Sequence, residues 1–206
     1  MKVRTAQKRE SIIEAAAELF AEMGYERASM SELVKRLGGS KATIYGYFAS
    51  KEALFEAVVR ASATGHLSEG EQELSLSSVE SGQTLESALL RFAERMLMVT
   101  QNDERALAVY RMVIAESGHS DVGRLFYESG PRQSMDALAR FMAAAMESGT
   151  LRRADPEVMA HQFTALVTAE VYLRVYQREP PRLAIKQIRR MAGHAVDTFI
   201  AGAAPR

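Results

Sequence analysis

Between Ser40 and Phe48 the chain reads SKATIYGYF, a run that carries hydroxyls, one lysine and two tyrosines and no acidic residue. Wound as a helix at about 100° per residue, Ile44 and Phe48 share an inner side and Ala42 and Gly46 point directly outward. Thr43 and Tyr45 then flank the outer strip, with Lys41 and Tyr47 on its shoulders. Small residues at the centre let a helix backbone approach base edges. Hydroxyls and a lysine around the rim suit phosphate oxygens, which with the sugars take half to two-thirds of protein–DNA hydrogen bonds. A free Ser40 hydroxyl and the N–H groups at the helix start would add an anion-binding end. The plainer alternative is a short surface helix with incidental aromatics. Agreement among cap, turn, inner face and outer face weighs against it.

Catalytic chemistry has far less support. The four histidines, His66, His119, His161 and His194, stand far apart in sequence. Glu157 and His161 lie four apart and supply at most two metal ligands. No nucleophile elbow or phosphate-cradling glycine loop is present, and no Cys is available for thiolate zinc or disulfides. The expectation is a protein that is not an enzyme and needs no cofactor and no metal.

Three helix starts position the Ser40–Phe48 run. Ser29 with Glu32 three residues on is a capping box, Met30, Leu33, Val34 and Leu37 share a face, and Gly38 is a left-handed stop. Ser40 can cap the next helix. Ser50 can cap a third, with Leu54, Phe55, Val58 and Val59 as its buried stripe and an end near Gly65. Two short helices joined by a Gly-containing turn form a helix-turn-helix, which lays its second helix in the DNA major groove. Upstream, a helix from about Thr5 to Met23 buries Ile12, Ala16, Leu19, Phe20 and Met23, turns Glu10, Glu14, Glu18 and Glu22 to solvent, and stops at Gly24.

The run from Thr5 to Phe55 resembles the DNA-binding domain of the TetR/AcrR family of bacterial regulators. The resemblance rests on Ile12-Ile13, Ala16-Ala17, Leu19-Phe20, Gly24-Tyr25, Ser29-Met30, Ser40 to Tyr45, Tyr47-Phe48 and Ser50-Lys51-Glu52. It implies that Thr43, Tyr45 and Tyr47 contact DNA and that Lys51 grips a phosphate. Two residues depart from the family's pattern. Gly39 replaces a small apolar residue, which loosens the turn, and Gly46 replaces a contacting side chain, which leaves readout there to DNA shape. The candidate DNA-contacting set is Ser31, Ser40, Lys41, Ala42, Thr43, Tyr45, Gly46, Tyr47 and Lys51, together with Arg4 from the basic start of the chain.

That basic start matters because the 206 residues carry no net charge overall. Residues 1–51 hold nine Lys or Arg against six Glu, a net +3. Lys2, Arg4, Lys8 and Arg9 come before the first acid, as in an arm that lies near phosphates or a minor groove. A solvated tail accounts for them equally well. The N-terminus has no apolar stretch behind its charges and does not read as a signal peptide. No apolar run approaches the ~18 residues a membrane span needs. The expected location is the cytoplasm, with no membrane partner.

Scarce proline, few β-branched clusters and abundant Ala, Leu, Glu, Arg and Met read as all-α. The expected architecture is an N-terminal three-helix helix-turn-helix domain over 1–50, then a helical ligand-binding and dimerisation domain over 51–206. After Gly65 the Ser/Gly/Glu-rich stretch to Thr84 reads as a connection. Helices follow over 84–102, 103–118, 122–129 and 131–149. Asp155-Pro156 starts a long one to about Gln177, and a last helix spans Arg182 to Ile200. The tripeptide Glu-Ser-Gly recurs at Glu80, Glu116, Glu128 and Glu147, and at least the last three mark helix ends.

Phe163, Leu166, Val167 and Val171, with Ile188, Ala192, Ala195, Val196 and Phe199, could pair across a two-fold axis as a four-helix interface. Their alternative is to close the chain's own core. Met96, Tyr110, Met112, Tyr127, Phe141, Met142 and Met146 could line a pocket for a small apolar or amphipathic effector, although for each one plain core comes first. The expected partners are double-stranded DNA, that effector and a second copy of the chain. The rival reading is a helical carrier or interaction module that does not bind DNA.

Overall fold

In the computed structural model, residues 5–76 and 84–205 are described, with side chains at all of them except 63–73 and 75–76. Among the described residues the architecture is all-helical. The helices are α1 (Ala6–Met23), α2 (Met30–Leu37), α3 (Lys41–Tyr47), α4 (Lys51–Leu76), α5 (Leu85–Asn102), α6 (Glu104–Glu116), α7 (Val122–Glu128), α8 (Pro131–Glu147), α9 (Pro156–Thr168) and α10 (Ile185–Ala203), with a 3₁₀ turn at Tyr172–Tyr176.

The helices form two compact units. The first holds α1 to α3, α4 as far as Thr64, and residues 105–130, which carry α6 and α7. Ile12, Ala16, Leu19 and Phe20 of α1 meet Leu33, Ile44 and Phe48, then Leu54, Phe55, Val58 and Val59 of α4. Val109, Met112 and Val113 of α6 and Val122 and Leu125 of α7 complete this core. The units therefore cross the boundary drawn between residues 50 and 51, because an apolar stripe far along the chain is spent on the N-terminal helices.

The second unit runs from Gly65 to Glu104 and from Pro131 onward. Leu89, Phe92 and Leu97 of α5, Leu138 and Met142 of α8, Met159 and Phe163 of α9, and Ile188, Val196 and Phe199 of α10 form its centre. Phe163 lies 5.1 Å from Phe199 and 6.2 Å from Phe92, ring to ring.

Four expectations need correction. Helix α4 does not stop near Gly65 but continues to Leu76, through the first part of the expected connection. Glycine inside a helix costs only about 1 kcal/mol against alanine, and burial of Leu74 in the second core anchors the far end. The rest of that connection, with Glu80, falls outside the described residues.

Helix α9 ends at Thr168 rather than near Gln177. Beyond it the bonds tighten to the 3₁₀ pattern, with the amides of Val171, Arg174 and Gln177 donating to the carbonyls of Thr168, Val171 and Arg174 at 3.0, 2.9 and 3.1 Å. Arg174 fixes the segment from outside, donating to Gln101 Oε1 at 3.0 Å and to the Pro181 carbonyl.

The last helix begins at Ile185, not Arg182. Asn102 holds Leu183 in the preceding stretch by both backbone groups, each at 2.9 Å. The turn at Gly38-Gly39 is closed rather than loose, since both N–H groups donate to the Val34 carbonyl. The Glu-Ser-Gly reading holds where it is described: Glu116, Glu128 and Glu147 are the last residues of α6, α7 and α8.

Candidate nucleic-acid interface

Local hydrogen bonds set the helix-turn-helix. Ser29 Oγ accepts from the Glu32 amide at 3.1 Å and starts α2, and Gly38, at φ +62, ends it in the left-handed region that favours glycine. Ser40 Oγ accepts from the Thr43 amide at 3.1 Å and lies 2.9 Å from Thr43 Oγ1. The Ser40 hydroxyl is therefore a cap shared with Thr43, and the free anion ligand expected there is not what the structure shows. Ser50 Oγ caps α4 through the Ala53 amide at 3.1 Å.

Ile44 and Phe48 are buried, 1% and 4% exposed, and this orients everything else on α3. Lys41, Ala42 and Thr43 are exposed, and Tyr45 is 49% exposed, a large aromatic left in water. Gly46 and Tyr47 are half-buried, as is Ser31 on α2. The outer strip is thus present at its N-terminal end and partly covered towards its C-terminal end.

Two residues of the set are committed within the fold. The Tyr47 hydroxyl accepts from the Thr5 amide at 3.1 Å, which joins the end of α3 to the start of α1. Beside it, the Arg9 guanidinium sits 5.2 Å from the Phe48 ring centre. Lys51 donates to the carbonyls of Tyr25 at 3.0 Å and Glu26 at 3.4 Å, and its ammonium lies 4.3 Å from the Tyr25 ring centre. This pins the α1–α2 turn to α4, so a phosphate at Lys51 would share an ammonium already in use.

Around Lys51, Tyr25 packs edge-on against Phe55 at 5.0 Å and directs its hydroxyl to Glu52 at 3.4 Å. Burial first, and the Glu52 charge second, push the Tyr25 phenol well above its usual range. Glu52 is held below the usual carboxylate range by its own backbone amide and by Ser50. Arg36 forks onto the Glu22 carboxylate and ties α2 to α1, and that hydrogen bonding keeps Glu22 below its usual range.

Arg4, like Lys2, lies outside the described residues. The sequence reading missed the ties made by Thr5, Arg9 and Glu116 to the helix-turn-helix. Each spans tens of residues, and no local spacing signals such a pair.

The residues assigned to self-pairing are placed otherwise than expected. Phe163, Val167, Val171, Ile188, Ala192, Ala195, Val196 and Phe199 are all buried in the chain's own core, and Leu166 packs against them. With at most 5% of their surface exposed, these eight side chains have little left for a partner. The exposed large apolar side chains of this stretch are Val158, Tyr172, Leu173, Tyr176 and Ile185.

The pocket candidates also separate. Met142 and Met146 are buried in the second unit's core with Met96 and Phe141 against it, while Met112 is buried in the first unit's core. Tyr110 and Tyr127 are exposed. Neither unit on its own gathers all seven. His194 Nδ1 lies 2.8 Å from Glu170. Among the described residues no three His, Cys, Asp or Glu side chains gather as a metal site.

A family model described as bacterial regulatory proteins, tetR family, matches residues 12–58. Another, described as the C-terminal domain of AefR-like transcriptional repressors, matches residues 87–202. The A-factor receptor protein of Streptomyces griseus is 38% identical over 169 residues, which cover 80% of this chain and 54% of the receptor. The chain thus spans about half the length of that curated relative. Among solved structures, the flavonoid-responsive regulator FrrA is 32% identical, with a TM-score of 0.74 and coverage of 98% of this chain and all of FrrA, 100%. A TetR-family transcriptional regulator from Mesorhizobium loti MAFF303099 is 27% identical, with a TM-score of 0.77 and coverage of 99% and 100%.

Proposed function

The chain belongs to the tetR family of bacterial regulatory proteins, and from that premise we propose that it is a sequence-specific DNA-binding repressor. In this reading residues 1–50 read DNA and residues 51–206 regulate and dimerise. The protein acts in the cytoplasm as a homodimer on a palindromic operator, and a small apolar or amphipathic molecule releases it. Among the described residues no helix is long and apolar enough to cross a membrane. The observation that carries the reading is the outer strip of α3, where Lys41, Ala42, Thr43 and Tyr45 are exposed while Ile44 and Phe48 anchor the helix from below.

In this mechanism Ala42 and Gly46 let the α3 backbone approach the bases, and Thr43 and Tyr45 contact the groove wall or phosphate. Lys41 supplies one phosphate contact. Helix α4 starts behind α3 and continues into the second unit, so a shift of a few ångströms along it re-spaces two reading heads. Half-sites lie roughly 34–36 Å apart, or multiples of that distance. The release step draws support from FrrA, a relative named as flavonoid-responsive. For self-pairing, Val158, Tyr172, Leu173, Tyr176 and Ile185 replace the buried set, because they are the large apolar side chains this stretch exposes.

The test is selection of random-sequence duplexes on the full-length protein, then gel shifts of the enriched duplex over a range of salt. The expected result is a two-fold-symmetric sequence bound with an affinity that falls steeply as salt rises. Replacing Lys41, Thr43 and Tyr45 together by alanine abolishes the enrichment. If no sequence is enriched, or if the triple variant binds like the wild type, the DNA reading fails and a helical interaction module remains.

A further inference from the structure

Helix α6 ends on the first Glu-Ser-Gly tripeptide of the described chain, and both of its side chains are built into neighbours. Glu116 Oε2 accepts from the Glu26 amide, in the α1–α2 turn, at 2.9 Å. The other carboxylate oxygen occupies the space beside Gly24, where a Cβ would come within 1.8 Å of it. Gly24 itself stands at φ +80, so this turn is made for glycine twice over, by conformation and by the carboxylate laid across it. Ser117 plays the matching part for α7: a Cβ on Gly123 would lie 2.8 Å from its hydroxyl oxygen.

The turn that receives Glu116 is the one Lys51 holds from the opposite direction in sequence, through the carbonyls of Tyr25 and Glu26. Donor and acceptor groups of the α1–α2 turn are therefore gripped by α6 and by α4. From that turn Ser29 launches α2, and α2 delivers α3. Helix α6 follows α5 almost without a break, and α5 belongs to the second unit.

We infer that Glu116 is a positioning residue for DNA binding: its carboxylate, seated on the Glu26 amide against Gly24, sets the placement of the helix-turn-helix. This rests on the DNA-binding reading above. A hydrogen bond to a charged group is worth about tenfold or more in an equilibrium, and its loss lets the turn, and α3 after it, depart from the binding geometry.

The experiment uses the full-length protein, the duplex it enriches from random sequence, and an unrelated duplex of equal length. Glu116→Ala lowers affinity for the enriched duplex about tenfold, leaves affinity for the unrelated duplex unchanged, and speeds exchange of the Glu26 amide hydrogen. Glu116→Gln, which keeps an acceptor oxygen, restores most of the affinity. Wild-type affinity in Glu116→Ala overturns the inference, and so does an equal loss on both duplexes. Should Glu116→Ala melt below the assay temperature, Glu116→Asp carries the same two readings on a stem one carbon too short. If the wild type enriches no duplex, the DNA reading falls and this inference falls with it. If it does enrich one and Glu116→Ala binds that duplex normally, only the role of Glu116 fails.

Discussion

The α2–α3 pair and the α9–α10 pair present the same kind of sequence evidence, an apolar stripe on a helix with polar residues opposite, yet the stripes mean different things. In α3, the residues opposite Ile44 and Phe48 are what the protein offers to the outside, and Tyr45 is left 49% exposed. In α9 and α10, the stripe of Phe163, Val167, Ile188 and Phe199 is consumed inside one chain, and the surface is left to side chains off the stripe such as Val158 and Ile185. A stripe shows which face is apolar and leaves open whether its partner is the same chain or another. A seven-residue helix bounded by two caps has little choice of partner, whereas a long helix in a bundle has several.

The largest test of this difference is Phe163→Ala. As a core residue in contact with Phe92 and Phe199, its truncation costs about 3–5 kcal/mol. Thermal unfolding should show the same loss at every protein concentration. A loss that grew on dilution would return Phe163 to an interface and break the comparison. Tyr45→Ala should do the reverse, changing stability by less than about 0.5 kcal/mol while weakening the enriched duplex about tenfold. A large fall in its melting temperature would mean that Tyr45 is structural.

Ser40→Ala removes the cap on the Thr43 amide and should cost about 1 kcal/mol, readable in chemical denaturation. Lys51→Met deletes the ammonium above Tyr25, a contact worth about 0.5–1 kcal/mol, along with its two carbonyl bonds. Stability should fall even with no DNA present, whereas a pure phosphate contact would leave the free protein unchanged. The smallest effect is on pH. The Tyr25 phenol titrates higher in the fold than its ordinary 10.0, so below that pH both states are protonated and its contribution is complete. As pH rises past about 10 the unfolded chain releases the proton first, and stability declines. Denaturation midpoints in Tyr25→Phe should lose this alkaline slope.

Legibility followed the range of the interactions. The Ser29, Ser40 and Ser50 caps, the Gly24 and Gly38 stops, and the inner and outer faces of α3 were all readable, because each is settled within four residues. The end of α4 was not readable, since Gly65 looks like a stop until Leu74 is seen in the second core. The end of α9 was not readable either, since Arg174 reaches back to Gln101 across 73 residues. At the candidate interface, the exposure of Lys41, Thr43 and Tyr45 followed from periodicity, whereas the commitments of Tyr47 and Lys51 did not. A hydroxyl or ammonium looks equally available until its neighbours are placed.

Taken alone, the amino-acid order determined that this chain is helical, where its short helices start, and which face of α3 is apolar, because capping and 3.6-residue periodicity act over a single turn. Tertiary structure alone decided that α6 and α7 share a core with the first helices and that the α9 and α10 stripes are spent inward. It also brought Glu116, 90 residues away in sequence, onto the Glu26 amide. Those outcomes depend on which distant surfaces meet, and burial is a property of the pair that meets rather than of either segment.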